Sequence, residues 1–213
     1  MSTKPAYRET SWKIRNQHPA LPGSYANILR WLDRELPAEE LCGSLLEVGC
    51  AAAFFTPHLA RRAEAMRACD PSAEQIALNC KEYPAVSFFV QDPGESIAAE
   101  FKTFDVLFCS RVLDQLINPS FALHQFYRVL KPGGRLLITV NHHGFFKNLL
   151  IALFGWSRHF APESPQLRFF TRRMLSRLAH KIGFRDIRIE SCGRGRPLRD
   201  LGIPSSLLLS AKK

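Results

Sequence analysis

The 213-residue chain lacks any paired-cysteine spacing: Cys42, Cys50, Cys69, Cys80, Cys109 and Cys192 are scattered, with no Cys-x-x-Cys among them. That pattern argues against zinc and disulfide frameworks, and several of these residues lie inside apolar runs, so buried free thiols are expected. No window reaches the roughly 18 uninterrupted apolar residues that a membrane-spanning helix needs. The polar opening Met1 to Arg15 has no apolar centre of the kind a signal peptide carries, so the expectation is a cytoplasmic protein. Acidic residues are scarce in one region only. Residues 141–213 carry 14 Lys+Arg against 4 Asp+Glu, whereas residues 1–140 balance 15 against 15, which places the whole net charge of +10 in the last third. Such asymmetry attracts an anionic partner, or simply forms a solvated basic face.

What is present suits one α/β domain, because 213 residues with 46% hydrophobic content bury a single good core. The first two dozen residues, broken by Pro5, Pro19 and Pro22, read as an arm; Ser24 is placed to cap a helix through Tyr25, Ile28, Leu29 and Leu32 that Pro37 ends. Strands are expected at Leu45–Val48, Met66–Asp70, Val86–Val90, Phe104–Ser110 and Arg135–Val140. Helices at about Thr56–Ala65, Ala73–Lys81 (capped by Ser72) and Ser120–Leu130 separate them, and Lys131-Pro132-Gly133-Gly134 forms a turn. An amphipathic helix from Phe170 to Ile182 stops at Gly183 and is followed by strands at Arg185–Glu190 and Ser206–Ser210. Strands alternating with single helices imply parallel pairing through right-handed crossovers. The expected fold is therefore a Rossmann-like, doubly wound, seven-stranded sheet, mostly parallel with an antiparallel final strand and helices on both faces.

The chemistry centres on Leu45-Leu46-Glu47-Val48-Gly49-Cys50-Ala51-Ala52-Ala53, a buried strand with an acid near its end and a turn of small residues. This is how an α/β sheet opens a crevice for a nucleotide-like cofactor. Asp70 lies 21 residues after Gly49, where an acid accepts hydrogen bonds from ribose hydroxyls, although it also suits an Asp-Pro turn with Pro71. Gln91 and Asp92 follow the third strand.

Together these motifs resemble the class I S-adenosylmethionine-dependent methyltransferases. Their acid-x-Gly-x-Gly-x-Gly motif is matched by Glu47 to Ala53, their ribose-binding acid by Asp70, their acid near the adenine amino group by Asp92, and their turn before strand five by Val129 to Gly134. The similarity covers about Ser44 to Val140. It implies S-adenosyl-L-methionine as cofactor, with Glu47, Gly49, Cys50, Ala51, Asp70, Pro71, Gln91, Asp92, Ser110 and Arg111 at its site. The chain departs from the motif where Ala51 and Ala53 replace glycines, since alanine adds a methyl group and disfavours positive φ. That departure also opposes a nicotinamide dehydrogenase, whose pyrophosphate needs the closest backbone approach at the second glycine.

The run Cys109 to Pro119 is similar to a segment of ubiquinone-pathway O-methyltransferases in which Glu, Glu and His can bind a metal. This chain has Arg111, Asp114 and Gln115 there, so no metal is expected. After strand five, residues 141–170 resemble the insertion that covers the acceptor in small-molecule methyltransferases. His143 is the first candidate for general base, followed by His159 and His142, each with an ordinary alternative as a hydrogen-bonding loop residue.

The apolar run Phe145 to Trp156 reads first as a lid helix packed on the core. The alternative is an interfacial helix that meets an anionic membrane beside the basic last third, and that draws on a lipid-like acceptor. The division expected is an arm and helix over 1–40, a cofactor-binding core over 41–140, a lid over 141–170 and a closing helix and strands over 171–213, all in one domain. The function expected is methylation of a small apolar or aromatic acceptor, most readily at oxygen. Alternatives are a nucleic-acid methyltransferase, for which no catalytic or RNA-binding signature is present, and a degenerate fold serving as a binding module. The sequence leaves the oligomeric state open.

Overall fold

The computed structural model describes residues 23–100, 102–156, 166–193 and 204–213. Seven strands form one sheet in the order β3-β2-β1-β4-β5-β7-β6. They are β1 (Cys42–Val48), β2 (Ala63–Asp70), β3 (Ser87–Val90), β4 (Phe104–Ser110), β5 (Leu130–Asn141), β6 (Arg185–Cys192) and β7 (Ser206–Lys212). β1 to β5 pair in parallel, while β7 runs antiparallel to both β5 and β6, as the expected fold requires.

Both faces of this sheet are covered, which is why its central strands read as continuous apolar runs. On one face, helices α1 (Gly23–Glu35), α2 (Thr56–Ala60) and α3 (Ala73–Glu82) bring Ile28, Trp31, Leu32, Leu59 and Ile76 against Leu45, Phe108 and Leu137. On the other, α4 (Pro119–Val129) and α6 (Arg172–Ile182) bring Leu123, Phe126, Leu175 and Ala179 against Leu46, Leu107 and Ile138. Alternate strand residues thus serve opposite layers. Helix α5 (Phe145–Phe154) belongs to neither layer and buries none of its residues.

Local chemistry sets the boundaries. Ser72 caps α3 by accepting the Gln75 N–H at 3.2 Å, Asn118 caps α4 by accepting that of Phe121 at 3.0 Å, and Thr171 caps α6. Gly183 ends α6 at φ 112, a conformation glycine adopts without cost.

Three boundaries differ from expectation. Helix α1 spans Gly23–Glu35, which places Ser24 within its first turn. Helix α2 stops at Ala60, and Ala63–Ala65 instead extend β2, where Cys42 pairs with Ala63 and Ser44 with Ala65. Arg62 fixes that exit by donating to the carbonyls of Leu36 and His58 and to the Asp33 carboxylate. Lys131–Gly134 is not a separate turn but a loop inside β5: Phe104 pairs with Leu130 and Val106 with Arg135, so four residues bulge opposite Asp105. Lys131 donates to Asp105 at 2.7 Å, and the Ser44 N–H and hydroxyl reach the same carboxylate oxygen at 2.8 Å.

Phe108 is fully buried in β4 and meets the Phe55 ring edge-on at 5.3 Å, carrying the sheet's packing into the loop after β1. Phe108→Ala is expected to cost about 3–5 kcal/mol, read as a lower urea midpoint without a change in slope.

Candidate methyl-donor site

Parallel register brings the carboxyl ends of β1, β2, β3 and β4 to one edge. Val48 pairs with Cys69 on one side and Cys109 on the other, and Asp70 pairs with Val90. The chain leaves β1 by a left-handed path, with Gly49 at φ 78, Ala51 at φ 45 and Ala53 at φ 54. Gly49 has a second constraint, because a Cβ there would lie 2.3 Å from Val112 Cγ2. The two alanines keep the conformation that glycine would adopt freely, at a cost of roughly 1–2 kcal/mol each.

Side chains from two neighbouring elements hold this turn. Asp70, at the end of β2, accepts the Ala51 N–H at 2.9 Å through Oδ2 and the Ser72 N–H at 3.0 Å through Oδ1. Asn79 on α3 donates to the Ala51 carbonyl at 2.8 Å and is itself fixed by Gln75 at 3.0 Å. Neither Gln75 nor Asn79 stood out in the sequence. Both are polar at an i, i+4 spacing on the buried face of a helix, and that mismatch with the apolar period is the signal that could have found them.

Glu47 is 2% exposed and takes its one short bond, 2.5 Å, from the Thr56 hydroxyl. Burial raises its carboxyl to about 8, against the smaller lowering effect of Thr56, and the Asp70 charge adds to the rise. Cys50 is buried against Asn79, and burial pushes its thiol well above the ordinary range, so it is inert packing at the turn.

The remaining expected residues fall at the same edge with distinct local roles. Gln91 spends its amide on its own loop, donating to the Asp92 and Ser96 carbonyls and accepting from Ala98 N. Asp92 accepts the Gly94 N–H at 2.8 Å, closing the turn that follows β3. Pro71 sits half-buried beside Asp70. Ser110 and Thr139 share a 2.8 Å hydroxyl bond between β4 and β5. Arg111, at φ 55, places its guanidinium over the Tyr25 ring, 5.2 Å from the centroid, and 3.4 Å from Ser206 Oγ. Tyr25 in turn meets Phe54 and Phe55, giving the edge an aromatic wall that the sequence reading did not single out.

The acceptor-side histidines separate. His143 is buried: Nδ1 faces Asn148 Oδ1 at 3.3 Å, Nε2 faces the Gln166 amide at 2.9 Å, and the ring meets Phe169 edge-on. Both of its ring nitrogens are therefore engaged, and it braces the end of β5 against α5 and the segment before α6. His142 is half-buried, with Nδ1 3.3 Å from the Pro204 carbonyl. Burial, followed by the Lys147 and Arg172 charges, lowers its basicity and outweighs the Pro204 bond. His159 lies outside the described residues. At the positions compared with a metal-binding segment, Asp114 accepts from Asn141 at 2.5 Å and Gln115 donates to the Arg111 carbonyl at 2.6 Å.

The family model for a methyltransferase domain matches residues 21–189, so the chain belongs to that family. The mitochondrial ubiquinone biosynthesis O-methyltransferase of Rattus norvegicus is 31% identical over 121 residues, covering 53% of this chain and 35% of its own. The chain thus spans about a third of that relative's length. An S-adenosylmethionine-dependent methyltransferase of Mesorhizobium loti superposes with a TM-score of 0.69 at 16% identity, covering 89% of this chain and 98% of its own. Phosphoethanolamine N-methyltransferase 2 of Haemonchus contortus, in complex with S-adenosyl-L-methionine, gives 0.67 at 17% identity over 88% and 52%. Those two likenesses establish the fold. The chain thus carries a methyltransferase domain, and the turn after β1 has the form of a cradle for a nucleotide-like methyl donor. The left-handed cradle is retained despite the alanines, and a buried acid with no cation beside it among the described residues is suited to a ligand that carries positive charge.

Two outcomes follow from this geometry. Ala51→Gly removes left-handed strain and is expected to raise stability by about 0.5–1 kcal/mol and to tighten S-adenosylmethionine binding in a calorimetric titration. The folded pKa of Glu47 lies above its unfolded value of 4.5, so its contribution to stability is complete below pH 4.5 and is lost as pH rises through about 8. Urea midpoints of Glu47→Gln across that window are expected to lack this downward slope.

Proposed function

We propose that this methyltransferase acts on a small apolar or aromatic acceptor and methylates it at oxygen. The observation that carries the reading is the pairing of the methyl-donor turn with an aromatic wall beside Arg111, in which Tyr25 and the buried Phe55 support the exposed Phe54 ring. A flat, weakly polar acceptor fits such a wall, and the rat relative is by its name an O-methyltransferase.

In this reading Gly49 to Ala53 lie against the methionine part of the cofactor, Asp70 with Pro71 faces the ribose, and Gln91 and Asp92 flank the adenine. Ser110 and Arg111 stand at the mouth. When bound, S-adenosylmethionine supplies a methyl group on a sulfonium sulfur. The protein's task is then alignment and exclusion of water, which together provide much of the acceleration of a methyl transfer.

The acceptor hydroxyl must lose a proton as its oxygen gains the methyl group. His143 was the first candidate for that proton, but its ring nitrogens are tied to Asn148 and Gln166. We assign the role to His142 instead. Its Nδ1–H directed at Pro204 O fixes the tautomer with the Nε2 lone pair available, and its lowered pKa keeps it neutral near pH 7. His143 then acts as a positioning residue through Asn148.

The test uses purified protein, S-adenosylmethionine and a panel of catechols and phenols, with the demethylated cofactor product as the readout. Asp70→Asn is expected to weaken cofactor binding about tenfold or more, the loss of a charged hydrogen bond. His142→Asn is expected to lower kcat about 100-fold, at the low end for general-base catalysis, with little change in KM for the cofactor. An unchanged kcat sinks the base assignment, and no saturable cofactor binding sinks the function.

A further inference from the structure

The sequence reading favours a core-packed lid for residues 145–156, yet α5 is apolar almost all round and buries nothing. Of the fifteen exposed large hydrophobic residues among those described, seven fall between Phe145 and Trp156, with Phe145 75% and Phe154 82% exposed. Scattered single exposures need no explanation, but this concentration on ten consecutive helical residues and the tryptophan after them does.

The two polar residues of α5 do not solvate it. Lys147 donates to the His142 carbonyl at 2.6 Å, and Asn148 pairs with His143 through both its amide atoms. They anchor the helix to the end of β5 and turn its remaining side chains outward. Gly144 lets the His142 ring pack close beside this anchor, since a Cβ there would lie 2.6 Å from His142 Cε1 and the ring would have to move.

The neighbouring helix supplies charge. His142 bridges to Phe170, so α5 and α6 start from adjacent points of one edge. Helix α6 carries Arg172, Arg173, Arg177 and Lys181 and no acidic residue, and Arg172 and Arg173 occupy its first turn, where the helix dipole already favours anions. Arg168, exposed just before it, donates to the Leu116 and Ile117 carbonyls, holding an additional cation and the exposed Ile117 at this edge.

We propose that α5 and the first turns of α6 form a docking surface for an anionic lipid bilayer. Phe145, Phe146, Leu149, Leu153, Phe154 and Trp156 enter the interface, and Arg168, Arg172, Arg173 and Arg177 meet the headgroups. Charge complementarity selects this occupant, because among the described residues no carboxylate pairs with Arg168, Arg172, Arg173 or Arg177, and an apolar protein partner would have no use for such a set of cations beside the helix. At ten residues α5 is about 15 Å long, suited to lie in the interface and too short to cross. Because α5 is fastened to His142 and His143, docking sets the acceptor side of the methyl-donor site at the membrane. Vesicle binding is read without activity, so this surface stands or falls separately from the proposed reaction.

The test is flotation of the full chain with vesicles of phosphatidylcholine alone, and of phosphatidylcholine with about one-third phosphatidylglycerol. The protein is expected to float with the second kind and to come off as salt is raised. Phe145→Ser with Phe154→Ser should abolish flotation, and Arg173→Glu with Arg177→Glu should weaken it about tenfold or more. Both double variants should keep the thermal midpoint and cofactor affinity of the parent. Failure of the parent to float on anionic vesicles overturns the proposal, as does equal flotation by either variant. It is also overturned if sedimentation velocity shows a dimer that the phenylalanine variant loses while no vesicle binding occurs, because a second copy then covers the face.

Discussion

The hydrogen bond from the Ala51 N–H to Asp70 Oδ2 is the contact on which the site depends. It joins the end of β2 to the turn leaving β1, and it holds that turn in a left-handed path that Ala51 and Ala53 would not choose. A buried backbone donor left without a partner costs on the order of 1–3 kcal/mol, comparable to the strain of the two alanines, so the bond and the strain offset each other. Asn79 secures the same residue from the carbonyl side. With two elements converging on the backbone of one residue, the turn keeps the shape of a glycine loop without two of its glycines. Substitution of those glycines therefore changes the energy of the cradle more than its form.

Much of this was legible in the chain. The alternation of apolar runs with helical periods led to seven strands and their sense, and Gly49, Asp70 and Asp92 appeared at spacings that parallel register converts into one edge. Ser72 and Gly183 announced their caps. Other features were not legible, because they depend on tertiary partners. The short α2 results from β1 claiming Ala63–Ala65 as pairing residues, a competition that local propensity does not contain. The loop at Lys131–Gly134 stays within β5 because Lys131 reaches Asp105 across it and the C-terminal Lys213 exchanges backbone bonds with Gly133 and Gly134. The choice between His142 and His143 rests on Asn148 and Gln166, residues with no motif to mark them.

The acceptor side follows a different logic from the cofactor side. There the structure spends polar groups to immobilise backbone; here it spends them to attach an apolar helix. Lys147 and Asn148 sit where a soluble helix would place solvent-facing polar groups, yet both bond back to the strand end, and the helix has no other polar side chain. Stability alone gives no reason for such an arrangement, since exposed aromatics gain nothing from water. It is understandable if the helix meets an apolar medium, and its attachment beside the histidines links that medium to the chemistry.

Charge joins the two sides. Glu47 is buried with a carboxyl raised to about 8, so near neutral pH the folded protein holds a proton there that the unfolded chain releases. A cationic ligand at this edge stabilises the ionised form and drives the proton off, and linkage then makes ligand affinity rise with pH toward that value. The acceptor side carries Lys147 and Arg172, whose charges depress the basicity of His142. The gradient from a proton-holding acid under the methyl-donor turn to a neutral imidazole near the cations orients the site. In the proposed reaction, positive charge is favoured at the donor end and a proton is accepted at the other.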